Sequence, residues 1–296
     1  MDRVRKIVNA EWAHRNGYTG SGITVAIMDT GIAAHIDLNT RVVGFVDYVN
    51  GRKGAYDDNG HGTHVAGILG GSGFASHGKY TGIAPGCNIL SIKVLDHLGN
   101  GNTRNVIRAL NWLLKNREKY KIRILNISVG MLSVAKMEEQ KILLGAVEEA
   151  WNAGIVVVAA AGNNGPYKNS VTIPGLSKTV ITVGSSDDDV SGIRRLGLVK
   201  GYSGRGPTQS CVMKPEIVAP GTAITSCSRL NNLYAIKSGT SMSTPIVAGA
   251  MAVLSERNPS LQPADMKLCL HETAEDIGKD KHIQGWGLVD VGRLIK

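Results

Sequence analysis

The sequence predicts an α/β fold: a doubly wound, mostly parallel central sheet flanked by helices on both faces. Three observations carry that expectation. Short β-branched runs alternate with longer segments of helical apolar spacing, the order expected of repeated strand, helix, strand units. The strand runs are near-continuously apolar, as strands buried on both faces are. Glycine and polar residues cluster where those runs end, and in such sheets ligands bind outside the carboxyl ends of the strands.

The first run, Ile23 to Met28, ends on Asp29-Thr30-Gly31. Val42 to Val46 and Ile89 to Leu95 follow as second and third strands. Between them, Val65, Ile68 and Leu69 predict a helix that opens at Asn59-Gly60-His61-Gly62. His61 therefore stands at or near a helix N-terminus, between two glycines. Val106, Ile107, Leu110, Leu113 and Leu114 predict a helix ahead of the fourth strand, Ile122 to Ile127, which ends on Ser128-Val129-Gly130. Met137, Leu143, Leu144, Val147 and Trp151 predict another, stopped by Gly154. The fifth strand, Ile155 to Ala160, runs toward Gly162-Asn163-Asn164-Gly165, and the sixth is Val180 to Val183. Near the end, Ser238 to Pro245 leads into an alanine- and glycine-rich helical pattern through Leu254. Proline suits a first helical turn, where its missing N–H is no loss. Ser241 then sits at the entrance of that helix, whose positive end favours developing negative charge.

Composition excludes several classes. The chain has 296 residues, 43% hydrophobic and 19% charged, which describes a globular protein and not a disordered one. Its 37 glycines follow no G-X-Y period, so a collagen-like reading fails. No composition break or linker divides it, so residues 1–296 are expected to form one domain. Aromatic residues are only 5%, which argues against base stacking. The net charge of +9 is scattered, with short groups at Arg3/Arg5/Lys6, Arg117/Lys119/Lys121/Arg123 and Arg194/Arg195. A solvated basic surface and no nucleic-acid partner is the reading. Cys87, Cys211, Cys227 and Cys269 form no C-x-x-C pair and are expected as free, mostly buried thiols, which fits a reducing compartment. The N-terminus lacks the apolar stretch of a signal peptide, and no run of about 18 apolar residues could span a membrane. A cytoplasmic location is favoured, with secretion the alternative if the chain is mature or truncated.

Taken singly, the polar positions have plain structural readings. Asp29 could close a turn, Asn163 could occupy a left-handed loop position, and Gly99-Asn100-Gly101 could be an ordinary turn. His61 and His64 lack the third ligand and the H-E-x-x-H wording of a zinc site, so no metal is assigned and His64 is read as a core histidine. Taken together, D-T-G at 29–31, H-G-T-H-V-A-G at 61–67, A-A-G-N at 160–163 and G-T-S-M-S-T-P at 239–245 resemble the subtilisin-like serine proteases in order and spacing. The resemblance runs from about Gly20 to Val291, and its wording is closest to the bacterial intracellular and alkaline branch.

That resemblance implies a serine endopeptidase. Ser241 would be the nucleophile, His61 the general base and acid, and Asp29 the group orienting the imidazole. Asn163 and the Ser241 backbone N–H would form the oxyanion hole. An extended polypeptide would lie between Gly99-Asn100-Gly101 and Ser128-Val129-Gly130. The first pocket, lined by Ser128 to Gly130 and Ala160 to Gly162, is small and uncharged and so favours an apolar or neutral side chain. Met131 would narrow its rim, and Leu95, Val106 and Val129 would line a second apolar pocket. No cofactor is required. Calcium is left open but unsupported, because the segment from Ser72 to Lys79 lacks Asn and Asp ligands. Asp57/Asp58 and Asp187/Asp188/Asp189 read as solvated loops. Expected partners are polypeptide substrates, with a prosegment or protein inhibitor compatible, and neither nucleic acid nor membrane. The competing class is a catalytically silent, protease-like binding protein. An α/β-hydrolase esterase is ruled out by the missing G-x-S-x-G and by the serine coming last.

Overall fold

The computed structural model describes residues 1–128, 137–190, 199–208 and 211–296. Its frame is a seven-stranded sheet in the order β2-β3-β1-β4-β5-β6-β7. The strands are β1 Thr24–Asp29, β2 Val42–Asp47, β3 Asn88–Lys93, β4 Ile122–Ile127, β5 Val156–Ala160, β6 Ile181–Ser185 and β7 Ile217–Ala219, and every pairing is parallel. From β1 the chain passes to the edge strand β2, returns as β3 between the two, and then crosses to the other side of β1 as β4. The carboxyl ends of β1 and β4 therefore flank the switch point where such sheets open a crevice.

Helices α1 Asp2–Ile7 and α2 Ala10–Arg15 precede the sheet, and α3 His61–Gly70, α4 Thr103–Tyr120 and α5 Met137–Asn152 cross between its strands. A two-stranded antiparallel hairpin, β8 Ile224–Cys227 and β9 Tyr234–Lys237, leads into α6 Thr240–Arg257. Then come α7 Pro263–Thr273, α8 Lys281–Gln284 and α9 Val291–Leu294. Helices α3 and α6 pack together, with α6 lying against β4 to β7, while α4 and α5 pair with each other against β4 and β5. Both faces of the sheet are thus covered, as its apolar strands require.

All six predicted strands are present, with ends displaced by a residue or two. β2 differs from its expected double burial: it is the edge strand, half-exposed along its length, with Val43 43% exposed. Strands β7 to β9 and helices α1, α2 and α7 were not anticipated, because three- and four-residue strands and short helices carry too few apolar repeats to register. Pro245 also departs from expectation. It is the sixth residue of α6 rather than part of its first turn, so it removes the helical bond that the Ser241 carbonyl would accept.

Two of the thiols, Cys87 and Cys227, are buried, but Cys269 is half-buried and Cys211 exposed; all four are free. Nor is all the basic charge at the surface. Lys93 and Lys214 are fully buried, and Lys214 is held by Glu216 while burial pushes its pKa down to about 8.

Candidate active site

Asp29 is the last residue of β1 and is buried. Its Oδ1 accepts the Thr30 N–H at 2.7 Å and the His61 Nδ1–H at 2.7 Å. With Nδ1 committed as donor, Nε2 of the neutral ring carries the lone pair. His61 begins α3 and keeps about a quarter of its side chain exposed (24%). Burial alone pushes its pKa down, but the Asp29 charge and hydrogen bond outweigh burial and hold the imidazole above its ordinary value.

The register of His61 on Asp29 is set by a residue the sequence reading placed in a solvated loop. Asp57 is buried and accepts five hydrogen bonds, from the Thr30 hydroxyl (2.9 Å), the N–H groups of Asn59 (3.1 Å), Gly60 (2.7 Å) and Thr63 (2.9 Å), and the Thr63 hydroxyl (2.6 Å). Burial would raise its pKa, yet the bonds from Thr63, Gly60 and Thr30 hold it below the usual carboxylate range. The Thr30 hydroxyl oxygen in turn accepts the Gly62 N–H at 2.9 Å, tying the end of β1 to the first turn of α3. Gly62 is required there: a Cβ would lie 2.2 Å from the Gly31 carbonyl oxygen.

Asp58 is not free in solvent either. Its Oδ1 accepts from the buried Lys93 Nζ at 2.7 Å, and Nζ also donates to the carbonyls of Thr30 (2.6 Å) and Leu95 (2.8 Å). Asp187 accepts the N–H groups of Gly221 and Thr222, buried Asp188 accepts the Ser203 N–H, and only Asp189 is exposed. These corrections share one cause: a carboxylate in a glycine-rich turn reads as solvated until the fold supplies donors from distant segments.

Ser241 is the second residue of α6 and the only one from Thr240 to Ser255 that is not buried. Thr240 joins that helix to the loop after β5. Its N–H (2.9 Å) and hydroxyl (3.1 Å) both donate to Asn163 Oδ1, while its hydroxyl oxygen accepts the Gly162 N–H at 3.1 Å. Because both Thr240 groups are donors, the atom they meet is the amide oxygen, and Asn163 Nδ2 is left as a donor at an exposed position. Gly239, at φ 140°, keeps this space open, since a Cβ there would stand 3.0 Å from that nitrogen.

The other half of the site is tied to this one through His64. It is fully buried on α3, its Nε2 bonds the carbonyls of Ile224 (3.0 Å) and Ala235 (3.1 Å), and burial pushes its pKa down to about 3. It is a neutral core histidine, as expected, clamping the β8–β9 hairpin to α3.

Of the expected substrate edges, Gly99, Asn100 and Gly101 form an exposed turn closed by the Asp96 N–H on the Asn100 carbonyl (2.9 Å) and by a Leu95–Gly101 bridge. Ser128 follows β4 and is buried, its hydroxyl accepting from Asn126 Nδ2 at 2.8 Å. Ala160 and Gly162 are buried at the end of β5. Leu95 and Val106 are buried. Val129, Gly130, Met131, Arg194 and Arg195 lie outside the described residues.

An imidazole oriented by a buried carboxylate, a half-buried serine at a helix entrance and an amide donor beside it, on a doubly wound parallel sheet, define a serine hydrolase that works through a covalent acyl intermediate. The chain belongs to the subtilase family, whose model matches residues 20–287. The serine protease AprX of Bacillus subtilis is 41% identical over 98% of this chain and 70% of its own length. Subtilisin Savinase of Lederbergia lenta is 34% identical over 96% of this chain and 94% of its own length. A crystal structure of a cold-adapted subtilisin-like serine proteinase superposes with a TM-score of 0.76 at 30% identity, covering 93% of this chain and 90% of that one. The protein is a serine endopeptidase acting on polypeptides.

Proposed function

We propose that Ser241 Oγ attacks the scissile carbonyl of an extended polypeptide while His61 Nε2 takes its proton. Asp29 holds the ring's tautomer and stabilises the imidazolium without itself taking the proton. The oxyanion is received by Asn163 Nδ2 and the Ser241 N–H. His61 then protonates the departing amine, and a water activated by His61 releases the acyl group. The single observation that carries this assignment is the 2.7 Å bond from His61 Nδ1 to buried Asp29. In intact-mass analysis, a fluorophosphonate is expected to add once, at Ser241, and Ser241→Ala to abolish both labelling and turnover. A Ser241→Ala variant with wild-type turnover would refute the assignment.

Substrate is proposed to pair with the Gly99-Asn100-Gly101 edge and with Ser128-Val129-Gly130, placing an apolar or neutral side chain against Ala160 and Gly162. All 296 residues serve as one catalytic domain in this reading, supported by the packing of α2 on α9 and of α9 on α6. No cofactor is required. The one His, Asp and Cys cluster among the described residues, His35, Asp37 and Cys227, supports this: His35 Nδ1 accepts the Asp37 N–H (3.1 Å), and Asp37 Oδ2 accepts the Tyr234 hydroxyl (2.7 Å). The segment after Gly71 likewise turns the Ala75 N–H onto Asp37 Oδ1 (2.9 Å), a bond made within the protein. A cytoplasmic location is favoured by the four free thiols, and no described helix is long and apolar enough to cross a membrane. A prosegment or protein inhibitor is a compatible partner, and the scatter of basic residues along the sequence supports a reading without a nucleic-acid partner.

A further inference from the structure

Two cations lie beside the first turn of α3, where His61 stands, and form no ion pair among the described residues. Arg229, in the turn of the β8–β9 hairpin, lays its side chain across Gly60: a Cβ on Gly60 would meet Arg229 Cδ at 3.1 Å and Cγ at 3.3 Å. Its guanidinium is thereby carried over the residue that precedes His61. Lys237 ends β9 opposite Ile224. Strand alternation puts it on the same face as Ala235, which lies opposite Ser226, the residue whose hydroxyl donates to the His64 carbonyl on α3 at 2.8 Å, while Ile236 between them faces solvent at 63% exposure. Lys237 thus lies on the face turned to α3, four residues before Ser241, and its charge acts on both His61 and His64. Neither cation forms an ion pair among the described residues.

The reaction gives this location a meaning. The oxyanion is held on the Asn163 side, and the amine leaves by taking a proton from His61, so the chain beyond the scissile bond departs past His61. Resting on the peptidase assignment above, we propose that Lys237 and Arg229 form an anion-selecting subsite for that departing chain, so that the enzyme prefers to cleave on the N-terminal side of Asp or Glu. An acidic side chain there meets Lys237 first and Arg229 beyond it. A basic one meets two like charges, and such repulsion is an effective way to exclude a competitor.

The test uses quenched peptides that share one acyl side and carry Glu, Gln or Lys immediately after the scissile bond. The expected order of kcat/KM is Glu, then Gln, then Lys, with Glu over Lys about tenfold at low salt and the gap narrowing as ionic strength screens the pair. Lys237→Gln is expected to flatten the order and Lys237→Glu to reverse it. A second readout fixes the acyl side altogether: one ester substrate loads Ser241, and glutamic acid amide and lysine amide compete to accept the acyl group. The amine nitrogen bonds the acyl carbon, its proton passes through His61, and Ser241 Oγ leaves as the hydroxyl. Glutamic acid amide is expected to win, and to lose that advantage in Lys237→Glu. Equal rates for the three peptides, or an order unchanged by Lys237→Glu, overturns the subsite. Fluorophosphonate labelling of the same preparation separates the two ideas: a labelled enzyme without the order sinks only the subsite, and an unlabelled one sinks the role of Ser241.

Discussion

Thr240 holds Asn163 by two hydrogen bonds to one atom, its N–H and its hydroxyl both meeting Oδ1. The residue beside Ser241 therefore determines which end of the Asn163 amide is left as a free donor. Asn163→Ala is expected to lower kcat by about 10²–10³ with little change in KM, the range measured on subtilisin for such a donor. Thr240→Val keeps the backbone bond and loses the hydroxyl; at roughly 1 kcal/mol for a neutral hydrogen bond, kcat should fall only about fivefold. Steady-state kinetics on one peptide amide compares the two, and equal losses would mean that Thr240 does more than aim the amide.

The pH dependence follows from the Asp29–His61 bond. Because His61 is held above the ordinary 6.5, the acid limb of kcat/KM should fall off above pH 6.5. In Asp29→Asn the two largest raising influences are removed, leaving burial and the Lys237 charge to outweigh the smaller pull of Asp57, so the limb of the residual activity should move below pH 6.5. The same raised pKa adds stability that is fully present below pH 6.5 and lost as pH rises through the folded value. A pH–rate profile of wild type and variant checks the direction, and a limb that stays in place would separate His61 from the base.

Asp57 gives a stability prediction of opposite sign. Its carboxylate gathers donors from Thr30, Asn59, Gly60 and Thr63, and Asp57→Ala leaves several buried donors unmet, at a cost of about 2–4 kcal/mol. Since its pKa is depressed on folding, this stability is present above the unfolded value of about 4 and disappears as pH falls through the lower folded one. Thermal melts from pH 7 to pH 2 should show the wild type losing its advantage over Asp57→Ala only in strong acid. Turnover should fall too, because Asp57 spans the contact between β1 and α3.

Gly62→Ala tests how tightly that contact is built. A methyl group placed 2.2 Å from the Gly31 oxygen cannot be accommodated without moving α3 from β1, so the His61–Asp29 bond should lengthen. The variant is expected to lose most of its kcat even where circular dichroism reports a folded sheet. Wild-type kcat in Gly62→Ala would show that the first turn of α3 tolerates displacement.

The legible part of the molecule was the part whose signal is local. Apolar runs such as Ile122 to Ile127 are buried on both faces and announce themselves by composition, and a serine ahead of a long apolar helix or a histidine between glycines is visible as a motif. The hairpin β8–β9 was invisible, since four-residue strands with Ile236 exposed and Ser226 buried have no clear period. Asp57 was misread, and Lys93 carried no signal, for a related reason: a charged residue is expected at the surface unless paired, and the pairing is made by segments far away in sequence.

By itself, then, the sequence determined the parallel α/β sheet and which residues stand at its carboxyl ends, because strand burial and helix entry are written in neighbouring side chains. Only the tertiary structure decided how those residues are aimed. Asp57 brings Thr30 to Thr63, Thr240 turns the Asn163 amide, and His64 clamps the β8–β9 hairpin to α3, because each contact closes a long loop of chain and its hydrogen bonds act only once the fold has brought the two ends together.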